Sequence, residues 1–378
     1  MTRVLVVDDS RFMRTVVDNA LSAAGYEVQT ASDGEEAVEM VPEYDPDVVT
    51  MDVEMPGMDG IEAVERIMSS HPTPILMLSA YTERGADPTL DALERGAADF
   101  LHKPDGSGSR NIVHLTDELV EKVDDLATTD VSSLALARAA TAIDAVSSGR
   151  LRRAVPAGGS TSEAEATTDV EPSLDPDGEY VDDPTVVVGA STGGPKIVER
   201  LLATLPAELE AKLLVVQHMP AEFTGRLAKR LDDESDYDVR EADDGDRIGA
   251  GEALVARGGY HLEVTNNAAG QLRVRLDDGE RLHGVRPAID VTMQTAAERV
   301  SDPLVGVVLT GMGRDGAAGI EAIKDAGGRT IAQDEATSPV FGIPCQAIET
   351  GSVDEVAPAG AIAERIVDAC RTDGENNE

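Results

Sequence analysis

The sequence predicts an α/β protein of two doubly wound parallel-sheet domains joined by a linker, and three observations carry that prediction. Short apolar runs alternate with amphipathic helical stretches in both the N-terminal and the C-terminal part of the chain. A polar, acidic segment separates the two alternations. The 378 residues suffice for two domains that each bury a core.

The first alternation occupies residues 1–127, with strand-like runs "RVLVV", "YEVQTA", "DVVTMD", "PILMLSA" and "DFLHKP". In its first helical stretch Phe12, Val16, Val17, Ala20, Leu21 and Ala24 fall on one face, expected to lie on the sheet. Five such β–α repeats imply a parallel sheet covered on both sides, the flavodoxin-like pattern. Residues 128–183 start alanine-rich and helical ("LALARAATAIDAV") and then dissolve into "PAGGSTSEAEATTDVEPSLDPDGEYVDDP". That stretch holds too little apolar surface to order itself, so the linker is expected to be partly helical, then disordered.

A second, Rossmann-like alternation occupies residues 184–372: "TVVVGA", "KLLVVQHM", "LVGVVLTG" and "RTIAQDE", with a closing helix "AGAIAERIVDAC". Between Asp236 and Asp278 the β-rich pieces "EALVARGGYHLEV" and "QLRVRL" read as an insertion or an antiparallel edge. Residues 373–378 form an acidic tail.

The formal net charge is −40, and only six of the 32 basic residues are lysines. Such a surface repels nucleic acid and anionic membranes. It fits either a basic partner or a very salty cytoplasm, where the Debye length shrinks to about 3 Å near 1 M salt. The acids are spread over the whole chain, which favours salt. The two cysteines, Cys345 and Cys370, give no disulfide framework, "MTRVLVVDD" lacks the features of a signal peptide, and no apolar run is long enough to insert in a bilayer. The expectation is a soluble cytoplasmic protein.

In a parallel α/β sheet, ligands bind at the carboxyl ends of the strands. In the first domain those ends carry Asp8, Asp9, Asp52, Ser79 and Lys103. Each aspartate alone could be a helix cap. Three carboxylates converging on one spot repel unless a cation joins them, and an all-oxygen donor set suits a hard ion such as Mg²⁺. A lysine opposite them suits an incoming phosphoryl group.

The second domain has two glycine-rich turns between a strand and a helix. "GMGRDG" (311–316) matches G-x-G-x-x-G, with Asp334 downstream, but Asp315 would occupy the positive helix end that a pyrophosphate needs. "GASTGGPKIV" lacks the Walker spacing, so Lys196 is no P-loop lysine. "GASTG" does match G-x-S-x-G, a sharp turn that can expose Ser191 as a nucleophile. A serine hydroxyl needs a base, usually a histidine oriented by a carboxylate. The candidates are His218, His261 and His283 for the base, with His218 at a neighbouring strand end, and Asp315 or Asp290 for the carboxylate. The order Ser, His, Asp differs from that of α/β-hydrolases, chymotrypsin and subtilisin, which disfavours those folds.

The stretches "VLVVDDS", "MDVEMPGMDGIEAV", "PILMLSA" and "LHKP" resemble the response-regulator receiver domain over about 125 residues. The resemblance implies that Asp52 accepts phosphate from a histidine kinase and that Asp9 and Asp52 bind Mg²⁺ with the backbone carbonyl of Glu54. It further implies that Asp8 assists through water, Lys103 holds the phosphoryl oxygens and Ser79 reports the phosphorylated state.

"VVVGASTGGP", "VVQHMP", "GGYHL", "RPAID" and "LTGMGRDGAAG" resemble the catalytic domain of the chemotaxis protein-glutamate methylesterases, the CheB family. This resemblance implies Ser191 as nucleophile, His218 as general base and then acid, and Asp315 as the orienting carboxylate. Backbone N–H groups near Met312 and Thr192 would form the oxyanion hole. The implied substrates are glutamate γ-methyl esters on chemotaxis receptors, with a side activity on receptor glutamines and no cofactor for the esterase chemistry. A receiver-linked module that only binds is the alternative.

Overall fold

A computed structural model of the chain describes residues 2–80, 91–93, 95–103, 109–127 and 180–371. Most of the expected linker and all of the acidic tail therefore lie outside the described residues.

The first domain runs β1 (Arg3–Val7), α1 (Arg11–Ala24), β2 (Glu27–Ala31), α2 (Gly34–Tyr44), β3 (Val48–Asp52), α3 (Gly60–Ser70), β4 (Ile75–Ala80), β5 (Asp99–Lys103) and α4 (Ser109–Ala127). The strands pair in parallel in the order β2-β1-β3-β4-β5. Strands β1 and β3 lie inside the sheet and are apolar almost throughout, because both faces are covered. Ser10, Asp33 and Asp59 cap α1, α2 and α3 by accepting N–H bonds three residues on.

One sequence expectation is corrected here. On α1 only Val17 and Leu21 are buried, with Met13 and Ala20 packed beside them, whereas Phe12 is 56% exposed and Ala24 is also exposed. The buried set follows i, i+4, i+7, i+8, so the inward face is centred on Val17, and Phe12 projects past its edge.

The second domain continues with β6 (Thr185–Ala190), α5 (Gly194–Thr204), β7 (Lys212–Gln217), α6 (Ala221–Glu234), β8 (Asp238–Glu241), β9 (Arg247–Ile248), β10 (Glu252–Val255), β11 (His261–Ala268) and β12 (Gln271–Asp277). It closes with α7 (Ile289–Arg299), β13 (Leu304–Val308), α8 (Ala317–Asp325), β14 (Arg329–Gln333), α9 (Gly342–Glu349), β15 (Glu355–Ala357) and α10 (Ile362–Ala369). Seven parallel strands have the order β15-β14-β13-β6-β7-β10-β8. The β-rich region is split: β8 and β10 extend the main parallel sheet, while β11, β12 and β9 form a separate antiparallel sheet. From β6 the chain builds outward on one side through β7 and on the other through β13. The switch point therefore falls beside β6, where an open α/β sheet forms its crevice.

The two domains touch. Phe100 of β5 stacks on Phe223 of α6 with ring centroids 4.7 Å apart, and Met312 and Val340 pack against the cluster containing Leu115 and Leu119 of α4. Among the described residues no helix is long and apolar enough to cross a membrane.

Candidate active site

Three adjacent strands, β13, β6 and β7, end level with one another, with Val308 opposite Gly189 and Ala190 opposite Gln217. Their carboxyl ends deliver the "TGMGRDG" loop, Ser191 and His218 to one place. The turns are knitted by backbone bonds from Ser191 N–H to Thr310 O and from His218 N–H to Ala190 O, both 3.0 Å. Gly193 caps α5 with φ 76°, a conformation that L side chains rarely adopt, so the chain can turn sharply behind Ser191. Gly311 lies against the Ser191 turn: a Cβ there would come within 2.6 Å of the Ser191 Cβ.

The structure separates the candidates that sequence left open. His218 Nε2 lies 2.7 Å from Asp315 Oδ2. Asp315 is 2% exposed and also accepts the N–H groups of Ile289 (2.6 Å) and Asp290 (2.9 Å). Burial alone would raise its pKa, but the His218 bond and charge and the two N–H donors hold it below the ordinary carboxylate value. With Nε2 engaged, Nδ1 is the nitrogen left to face a hydroxyl. His261 is fully used structurally: Nε2 lies 2.9 Å from Glu280 O, and Nδ1 accepts from Ala288 N–H at 3.2 Å. Asp290 pairs with His283 at 2.8 Å. Asp334 accepts from Thr337, as a loop cap does.

Sequence reasoning missed three supports of this site. Gln217 Nε2 donates to Ser191 O at 2.7 Å, and Thr310 Oγ1 lies 2.9 Å from Thr192 O, so the peptide carbonyls of Ser191 and Thr192 are both held. Thr192 Oγ1 donates at 2.7 Å to Asp99 Oδ2 of the first domain, which also accepts from Lys122. Residue type alone carries no signal for such bonds, because their partners are brought together only by the fold.

At the carboxyl ends of β1 and β3, oxygens of Asp8, Asp9 and Asp52 lie within 4.8 Å of one another. Lys103 Nζ lies 2.6 Å from Asp8 Oδ2 and 2.7 Å from Asp52 Oδ2. Ser79 is buried on β4, one strand over, and Glu54 follows β3 by two residues. One lysine cannot balance three carboxylates. Burial, with smaller contributions from the Asp8 and Asp9 charges, outweighs the lowering by the Lys103 ammonium, and the Asp52 pKa is raised to about 6. An oxygen-only, electron-rich cluster short of positive charge fits a hard divalent cation such as Mg²⁺.

This raised pKa has a stability consequence. Between about pH 4 and 6 the folded chain holds a proton on Asp52 that the unfolded chain has released, so stability falls as pH rises through that window. The expected loss is ~2–3 kcal/mol. Thermal unfolding of the full chain should show it, with Asp52→Asn flatter across the window and Mg²⁺ raising the wild-type transition above pH 6. Identical pH slopes in the two proteins would contradict this assignment.

Comparison with known proteins completes the description. Residues 186–366 match the family described as "CheB methylesterase", and residues 4–113 match "Response regulator receiver domain". The chain is 52% identical to a protein-glutamate methylesterase/protein-glutamine glutaminase of Halobacterium salinarum, over 98% of this chain and 99% of that protein. It is also 52% identical to the one of Haloarcula marismortui, over 98% of each. The crystal structure of the Thermotoga maritima CheB methylesterase catalytic domain aligns with 49% of this chain and 97% of that chain, at 41% identity and a TM-score of 0.47.

Proposed function

Starting from the fact that the chain belongs to the CheB methylesterase family, with a receiver domain in front, we propose that Ser191 is its nucleophile, His218 its general base and acid, and Asp315 the carboxylate that orients His218. The chain is a protein-glutamate methylesterase/protein-glutamine glutaminase. The observation that carries the residue assignment is the His218–Asp315 bond, anchored by two backbone N–H donors, one strand end away from Ser191.

The substrates are glutamate γ-methyl esters on methyl-accepting chemotaxis receptors, reached from the cytoplasm. Ser191 Oγ attacks the ester carbonyl while His218 Nδ1 takes its proton. The imidazolium, stabilised by Asp315, returns that proton to the leaving methoxide, so methanol departs and an acyl-serine remains. Water then attacks with His218 again as base, which restores Ser191 and frees the receptor carboxylate. On a glutamine the leaving group is ammonia. Among the described residues the N–H groups of Thr192 and Met312 donate no hydrogen bond, and they are our choice for the oxyanion hole.

Control comes from the receiver. Asp52 takes the phosphoryl group of a chemotaxis histidine kinase; Asp9, Asp52 and the Glu54 carbonyl would hold Mg²⁺, with Asp8 assisting through water. The cation supplies charge neutralisation for the transfer; Lys103 holds the phosphoryl oxygens, and Ser79 responds to them. In the unphosphorylated state Asp99 grips Thr192, the residue after the nucleophile, while Phe100 packs against Phe223 of α6. Phosphorylation shifts the equilibrium towards a released state. The acidic surface is an adaptation to salt. In high salt, acetyl phosphate is expected to speed methanol release from methylated receptor membranes by the wild type and not by Asp52→Asn. Equal acceleration of both would refute receiver control through Asp52.

A further inference from the structure

We propose that His283 and Asp290 form a second imidazole–carboxylate pair that positions Asp315 and tunes the field at His218. The inference rests on the triad reading above and extends it by two positioning residues.

The observation behind it is an exchange between two helices. Neither α7 nor α8 has a side-chain cap of its own, since Ala288 and Gly316 occupy the cap positions. Each is capped by the acid at the start of the other. Asp315, just before α8, accepts the N–H groups of Ile289 and Asp290 at the start of α7. Asp290, in the first turn of α7, accepts the N–H groups of Gly316 (2.9 Å) and Gly319 (2.7 Å) through Oδ1. The carboxylate that orients His218 is therefore fixed by a reciprocal clamp, and Asp290 supplies both halves of it, a backbone donor and a side-chain acceptor.

Capping uses only Oδ1 of Asp290. Its Oδ2 is directed at His283 Nε2, 2.8 Å away. His283 reaches that position from a left-handed backbone, φ 54°, which is uncommon for a non-glycine residue and costs on the order of 1 kcal/mol. The loop around it is tied down by Arg286, which donates to the carbonyls of Asp278 and Gly279, and by His261 bonded to Glu280 O. A helix cap alone requires neither an imidazole nor a strained loop to carry it. Ligating atoms of His283, Asp290 and Asp315 lie within 4.8 Å of one another. The six contacts of the Asp290 and Asp315 carboxylate oxygens are four backbone N–H donors and two imidazoles, so the cluster reads as a hydrogen-bonded relay.

Two buried carboxylates side by side repel, and each is partnered by one imidazole, His218 on Asp315 and His283 on Asp290. Two further cations of the same loop make backbone contacts, Arg281 with Gly284 O and Arg286 with the carbonyls of Asp278 and Gly279, and Arg281 acts on Glu118 of α4. Loss of the His283 donor leaves the Asp290 charge less offset, which stabilises the His218 imidazolium. Loss of the Asp290 charge does the reverse.

The test is the pH profile of methanol release by the full chain in high salt. His283→Ala is expected to lower kcat about ten- to a hundredfold with KM unchanged and to move the acid limb to higher pH by about half a unit or more. His283→Gln, which keeps a donor, should recover most of the rate. Asp290→Asn should move the acid limb to lower pH. Lost activity without opposed shifts, or profiles identical to the wild type, overturns the inference, and His283→Ala decides it if Asp290→Asn fails to fold. If these variants behave like the wild type while Asp315→Asn is inactive, the triad stands and only the second pair falls. If Asp315→Asn is fully active, the triad reading itself falls.

Discussion

Asp315→Asn is expected to reduce kcat for methanol release by about 10³–10⁴-fold while leaving the chain folded. The carboxylate accepts from His218 Nε2, so that nitrogen carries the proton and Nδ1 is free to take one from Ser191. An amide at 315 can present its NH₂ group to Nε2. The imidazole then turns to the tautomer with Nδ1 protonated, which cannot accept from a hydroxyl, and the imidazolium formed during attack loses its counter-charge. The amide oxygen, at the Oδ1 position, still accepts from Asp290 N–H, so only the Ile289 N–H bond, made to Oδ2, is lost from the clamp. Thermal unfolding should therefore change far less than kcat. A variant retaining more than about a tenth of the wild-type rate would remove Asp315 from the mechanism.

Ser191→Ala should have an effect of about 10³-fold or more, because no other hydroxyl can take its place in the acyl transfer. Thr192, the neighbour, is turned away and donates to Asp99. The substitution removes the hydroxyl of a half-buried side chain and no structural bond of the turn: the contacts of residue 191 run through its backbone N–H to Thr310 O and its carbonyl to Gln217 and Gly194. Receptor binding should survive, with KM near the wild-type value, and intact-mass measurement during turnover should show no acyl adduct. Loss of receptor binding along with activity would instead mark the turn as part of the docking surface.

How much of this was legible in the sequence depends on the range of the interactions. The β–α alternation and the sites at strand ends followed from local apolar periodicity, and Ser191, His218, Asp8, Asp52 and Lys103 stand at carboxyl ends of parallel strands. The failures were tertiary. Phe12 shares a helical face with Val16 but stays 56% exposed, whereas Val17 is buried. The run "EALV" and the run "HLEV" look alike, yet β10 pairs with β7 in the main sheet and β11 with β12 outside it. Local sequence alone leaves Asp290 and Asp315 open, because each stands at a helix start, and only the family resemblance names Asp315; in the fold it is Asp315 that meets His218 and Asp290 that meets His283. The Asp99–Thr192 bond joins residues 93 positions apart across two domains, beyond any local signal.

The measurement that tests the central claim most directly is methanol release from methylated receptor membranes in high salt, with acetyl phosphate present, by wild type and Ser191→Ala side by side. The account predicts release by the wild type alone, with Ser191→Ala at background. Release by Ser191→Ala at the wild-type rate would contradict it, because the turn after β6 would then not hold the nucleophile.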